Sequence, residues 1–92
     1  MNYKLEFTFN ADKQLQAHIM AGNKKQLVKI YTLFEELQKH PRTGTGKPKL
    51  LKYEQAGVWS RRIDDKHRML YTINEAIVTV FIIALWGHYD DK

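Results

Sequence analysis

Cysteine is absent from this chain of 92 residues, which excludes a disulfide framework and any thiolate metal site. A reducing compartment suits such a chain. Long apolar runs are missing as well. The longest, Ala76 to Trp86, is about half of the ~20 residues that a helix needs to cross a bilayer. The N-terminus is polar and enters structure at once, so it lacks the apolar core of a secretory leader. No repeat, low-complexity segment or linker interrupts the sequence, and the apolar share of 43% is ordinary for a globular chain. A single domain over residues 1–92 with one modest core is expected, soluble and cytoplasmic, with no membrane partner.

Acidic residues are few beside the basic ones, 10 against 15, for a net charge of +5. The excess is local. Residues 39 to 68 hold nine Lys and Arg (Lys39, Arg42, Lys47, Lys49, Lys52, Arg61, Arg62, Lys66, Arg68) against Glu54, Asp64 and Asp65, while the rest of the chain is slightly acidic. A concentrated basic region suits an anionic partner such as nucleic acid, and it also suits a solvated surface with no partner.

Hydropathy patterning predicts an α+β arrangement. Tyr3, Leu5, Phe7 and Phe9 alternate with polar residues, as in a half-buried strand. Asn10 is placed to cap a short helix with Leu15 and Ile19 on one stripe, ended by Gly22. Asn23 caps a second helix carrying Leu27, Ile30, Tyr31, Phe34 and Leu37, which His40-Pro41 terminates. Residues 42 to 49 form a loop by composition. Three antiparallel strands follow, near Leu50 to Arg62 (interrupted at Gln55 to Gly57), His67 to Ile73 and Ile77 to Trp86.

Strand register gathers the basic residues. A three-residue turn at Asp64 to Lys66 sets Arg62 opposite Arg68, and a two-residue turn sets Arg61 there instead. Either way two guanidiniums meet across a hairpin, which is unfavourable unless an anion or solvent screens them. A second three-residue turn at Asn74 to Ala76 would set Arg68 opposite Ile82 and carry His88 onto the same face, although a slip of one residue reverses that. The other parity (Trp59, Met69, Tyr71, Phe81, Ile83, Leu85) is bulkier and should receive the helices.

The last strand runs into His88-Tyr89. Arginines, lysines, an imidazole and a phenol are groups that bind a phosphodiester and move its protons. Other features read more plainly. Gly44-Thr45-Gly46-Lys47 lacks the spacing of a phosphate-binding loop, His18, His40 and His67 lack metal-site spacing, and Tyr53 and Trp59 suit either base stacking or the core.

Gly46-Lys47-Pro48, Leu51-Lys52, Trp59-Ser60-Arg61-Arg62-Ile63, His67-Arg68, Tyr71 and His88-Tyr89 together closely resemble the YoeB/Txe toxins of the RelE/ParE superfamily, over essentially the whole chain. The resemblance implies a microbial RNase fold: an antiparallel sheet of about four or five strands with an N-terminal helical hairpin packed on one face. It further implies a type II toxin, an endoribonuclease that cleaves mRNA in the ribosomal A site by attack of the 2′-OH, with no metal or cofactor. The implied partners are mRNA, the 30S A site with its rRNA, and a YefM/Axe-type antitoxin, and a homodimer is compatible with it.

Carried over by position, Arg68 corresponds to the arginine that stabilises the scissile phosphate and His88 to the acid that protonates the leaving oxygen. Tyr89, Lys52 and Arg62 correspond to positions that orient RNA or neutralise charge, and Lys47 and Arg61 join the RNA-binding set. The family has a glutamate after Gly-Lys-Pro as the proposed base; here that residue is Lys49. Lys49 as base or charge stabiliser, Glu54 or His67 in its place, and an attenuated or non-catalytic module that binds ribosome or antitoxin all stay open.

Overall fold

The computed structural model describes residues 2–52 and 57–87. In chain order the elements are β1 (Lys4–Phe7), α1 (Phe9–Ala21), α2 (Lys24–Lys39), β2 (Lys49–Leu50), β3 (Trp59–Arg62), β4 (Arg68–Asn74) and β5 (Thr79–Ala84). The strands form one sheet in the order β1-β5-β4-β3-β2. From β2 to β5 every pairing is antiparallel, as short connections require. β1 adds a parallel edge beside β5, with Lys4 against Thr79 and Phe7 against Ile82, so the sheet is mixed.

The first helix starts earlier than its sequence suggests. Thr8, not Asn10, is the cap: its hydroxyl accepts from Ala11 N at 3.1 Å and donates to Ile83 O at 3.1 Å. One side chain thus ends β1, opens α1 and ties both to β5. Phe9 consequently falls on the first helical turn, 83% exposed, instead of completing the strand's inward row. Gly22, at φ 72°, closes α1 in the left-handed conformation that favours glycine. Asn23 caps α2 by accepting from Gln26 N at 3.0 Å, and α2 stops at Lys39 before His40-Pro41, as expected.

The helices cover one face of the sheet. Ile30, Leu33, Phe34 and Leu37 of α2 and Ala11 of α1 pack with Ile63, Met69, Tyr71, Val80, Ile82 and Leu85. A smaller cluster of Val58, Leu70 and Ala84 sits apart from this core. No described helix is long and apolar enough to cross a membrane.

The β4–β5 register departs from the expected one twice. The turn is one residue longer, because Asn74 pairs with Thr79 and its Oδ1 accepts from Ala76 N and Ile77 N. A bulge then intervenes: Tyr71 pairs with Ile82 but Leu70 with Ala84, which leaves Ile83 as an extra residue. The longer turn puts Val80 and Ile82 on the helix side in place of Phe81 and Ile83. The bulge restores parity afterwards, so Leu85 faces the helices as predicted. Arg68 therefore lies beside residues 86 and 87, not Ile82, and its N donates to Gly87 O at 3.1 Å.

Candidate active site

The β3–β4 hairpin builds the site. Asp64 Oδ1 accepts from Lys66 N and His67 N at 2.8 Å each, and Ile63 N donates to His67 O at 3.0 Å. Those bonds define the three-residue turn, and Arg62 faces Arg68 directly. Burial in part pushes the Asp64 carboxyl up, but hydrogen bonds from Gln26 and from the two turn amides outweigh it and hold the group below its ordinary value.

The loop before β2 folds over this hairpin. Arg62 N donates to Gly46 O at 2.6 Å. Gly46 has φ 84°, and a Cβ there would come within 2.8 Å of Arg62 O, so this approach requires glycine. Lys47 follows at φ 52°, and Lys49 pairs with Ser60 across β2 and β3. Between loop and sheet lies a cleft of about 100 Å³ lined by Gly46, Lys47, Lys49, Ser60, Arg62 and Arg68. Four cationic residues around so small a space form an anion trap.

Arg68 is its sharpest element. Its Nη1 is buried and, among the described residues, has no hydrogen-bond partner. Buried donors are nearly always paired, and a phosphate oxygen is the acceptor that suits a guanidinium best. The half-buried Arg68 and the exposed Arg62 can both turn donors toward one bound phosphodiester.

Of the other expected site residues, Arg61 requires correction. It lies on the helix face with no exposed surface, and protein groups occupy all five of its donors. Nε donates to Tyr71 Oη at 3.1 Å. Nη1 donates to Glu36 Oε1 at 2.7 Å and Thr45 O at 3.2 Å, and Nη2 to His40 O at 2.9 Å and Thr43 O at 2.7 Å. A guanidinium has no sixth donor to offer RNA. Arg61 instead pins the 40–45 loop that delivers Gly46 and Lys47.

Lys52 is exposed just after β2 and does not line the cleft. His67, weighed as a base, accepts from Gly87 N through Nδ1 at 3.2 Å and packs against the His18 and Trp86 rings. Glu54, His88 and Tyr89 lie outside the described residues.

Sequence reasoning missed Glu36, which completes the loop anchor. Besides Arg61, its carboxylate accepts from Thr45 N at 2.7 Å and Thr45 Oγ1 at 2.6 Å. Burial pushes this carboxyl up, but the hydrogen bonds from Thr45 and Arg61 more than compensate and hold it below its ordinary 4.5. A depressed carboxyl contributes stability that is whole above its unfolded value and is lost as pH falls through its folded one. Urea melts should therefore weaken below about pH 4.5. Glu36→Gln, less stable at neutral pH, should show a shallower acid decline; an unchanged acid limb would show that Glu36 is not linked to folding.

Similar proteins share this architecture. Residues 7–89 match the family model of the YoeB-like toxin of bacterial type II toxin-antitoxin system. Toxin YoeB of Mycobacterium bovis is 43% identical over 61 residues, covering 66% of this chain and 72% of that toxin. A YoeB/ParE toxin from Agrobacterium tumefaciens superposes with a TM-score of 0.84 at 30% identity, over 94% of this chain and 99% of that one. The toxin of a YoeB-YefM complex from Staphylococcus aureus does so with a TM-score of 0.78 at 29% identity, over 97% and 100%.

Proposed function

We propose, for a chain that belongs to the YoeB-like toxins of bacterial type II toxin-antitoxin systems, that it is an endoribonuclease cutting mRNA in the ribosomal A site. The observation that carries this reading is the pairing of Arg62 with Arg68, whose buried Nη1 has no acceptor among the described residues, beside Lys47 and Lys49. Like charges are held together at the cost of folding energy, and a scissile phosphate would relieve that cost.

The chemistry follows from the residue types. The 2′ oxygen attacks the adjacent phosphorus, the bond to the 5′ oxygen breaks, and a 2′,3′-cyclic phosphate and a 5′-OH result. Negative charge grows on the non-bridging oxygens between the two states, so donors fixed in advance by the hairpin stabilise the transition state more than the substrate. Arg68 fills this role, with Arg62 and Lys47 holding the strand. His88, assigned by its place in the family motif, donates a proton to the 5′ oxygen, with Tyr89 orienting the substrate. Lys49, lining the cleft beside Arg68, takes the 2′ proton or offsets charge at that end.

The decisive assay is primer extension on programmed ribosomes. The native chain should give cuts at A-site codons that His88→Ala reduces by about 10²–10⁴-fold, the usual contribution of a general acid. Intact mRNA with the native chain would refute the cleavage reading. Lys49→Glu adds a second axis: lost cleavage supports Lys49 as a working cation, and a large gain identifies the native chain as attenuated.

Lys49 itself favours one other reading, a module that occupies ribosome or antitoxin without cutting. Co-sedimentation with ribosomes that leaves mRNA whole would identify it. The basic cleft also suits an antitoxin segment bearing acidic and apolar side chains, in keeping with the YoeB-YefM complex of the Staphylococcus aureus relative.

A further inference from the structure

Beyond β5 the chain leaves the ladder, yet its backbone is held from three directions. Leu85 N donates to Gln14 Oε1 of α1 at 2.7 Å. His18 Nε2, one turn further along α1, meets Leu85 O at 2.7 Å. Gly87 N donates to His67 Nδ1 at 3.2 Å, and Gly87 O accepts from Arg68 N at 3.1 Å. The Trp86 ring contacts the rings of both histidines, with centroids 4.5 and 4.7 Å away. Residues 85 to 87 are the last described before His88.

Donor and acceptor accounting sets the protons. Asp64 Oδ1 already accepts two backbone N–H groups, which favours the carboxylate. Its Oδ2 lies 2.8 Å from the Gln26 amide nitrogen, and a carboxylate only accepts, so Gln26 turns its NH2 to Asp64. The Gln26 carbonyl then faces His18 Nδ1 at 2.9 Å. The other nitrogen faces the Leu85 carbonyl. Both partners are acceptors, so both ring nitrogens must donate.

His18 is 1% exposed. The titratable groups that face it are Asp64, through Gln26 of α2, and His67 of the β3–β4 turn, whose ring centroid is 5.2 Å away. His67 accepts at Nδ1 and is thus neutral with its proton on Nε2, so the two rings do not repel. The Trp86 indole adds quadrupole attraction for a cation.

We propose that His18 is a positioning residue, a doubly protonated imidazolium that donates to Gln26 and Leu85 together and fixes the backbone leading into residue 88. This rests on the reading of His88 as the general acid. Asp64, Gln26 and His18 form one relay from the turn beside the basic cleft to the base of the catalytic segment.

Nitrogen-resolved NMR of the histidine rings at neutral pH, on the whole chain, tests the core of it. His18 should carry protons on both nitrogens and His67 on Nε2 alone. Gln26→Leu should return His18 to a singly protonated ring that still donates to Leu85. His18→Phe, which keeps ring volume against Trp86, should speed amide exchange at Leu85 and Gly87 at least tenfold. On programmed ribosomes it should lower kcat about tenfold with KM unchanged. A singly protonated His18 in the native chain overturns the proposal, as do unchanged exchange and kcat in His18→Phe. If that variant fails to fold, the native ring and Gln26→Leu decide. If the native chain cuts nothing, the cleavage reading fails, while ring protonation and amide exchange still decide whether His18 holds the segment.

Discussion

Arg68→Ala should reduce mRNA cleavage on programmed ribosomes by about 10³-fold, the loss that follows when one preorganised donor is taken from a charge-developing transition state. Folding should respond in the opposite sense. Arg68 carries a buried donor without a described partner and faces Arg62 across the hairpin, so its removal lifts a penalty of about 1 kcal/mol. Urea melts should show the alanine variant at least as stable as the native chain. Arg68→Lys should recover little activity, because a point charge cannot present two donors in a plane. A variant that loses activity only by unfolding would remove the case for Arg68 as a transition-state donor.

Arg61→Ala should do the reverse and attack the fold first. Its loss leaves the Glu36 carboxylate partly buried without its cation and frees the carbonyls of His40, Thr43 and Thr45. Removing one partner of a buried ion pair costs about 3–5 kcal/mol, set against a total of about 5–15 kcal/mol for a small domain. Much of the variant should be unfolded at physiological temperature, with a midpoint shift readable by denaturant titration. Arg61→Lys should rescue poorly, since three donors on a flexible stem cannot reach five positions. Melts indistinguishable from the native chain would show that the anchor is dispensable.

These two residues, one adjoining Arg62 in sequence and the other facing it across the hairpin, also mark where sequence was informative. That two arginines meet across the hairpin was legible by counting, which left Arg62 or Arg61 opposite Arg68 according to turn length; the three-residue turn selects Arg62. Asn23, Gly22 and His40-Pro41 bounded the helices because caps and breakers act locally. Charge counting, by contrast, does not know which side of a sheet is covered, so Arg61 and Arg62 looked alike. The signal was nonetheless present: Arg61 shares the parity of Trp59 and Ile63, the face assigned to the helices.

Two features had no local signal. The bulge at Ile83 answers to the fit of β4 against β5 over the core, and Thr8 took the cap from Asn10 because its hydroxyl also reaches Ile83 O. The bulge depends on the facing strand β4, and the cap on a strand more than seventy residues downstream; propensity within a short window sees neither. His88, assigned to proton transfer, and Tyr89, assigned to orienting the substrate, rest on the family motif.

β1 has β5 as its neighbour in the sheet, and that adjacency carries a consequence for the birth of the molecule. Translation delivers Phe7 first and its partner Ile82 some seventy-five residues later, a wait of ~4–15 s at ordinary elongation rates. Through that interval the helical hairpin has no finished surface to lie on, and the first strand presents a bare edge. The sheet closes from the newest strand back to the oldest, so the architecture waits for β5 before its first strand finds a neighbour.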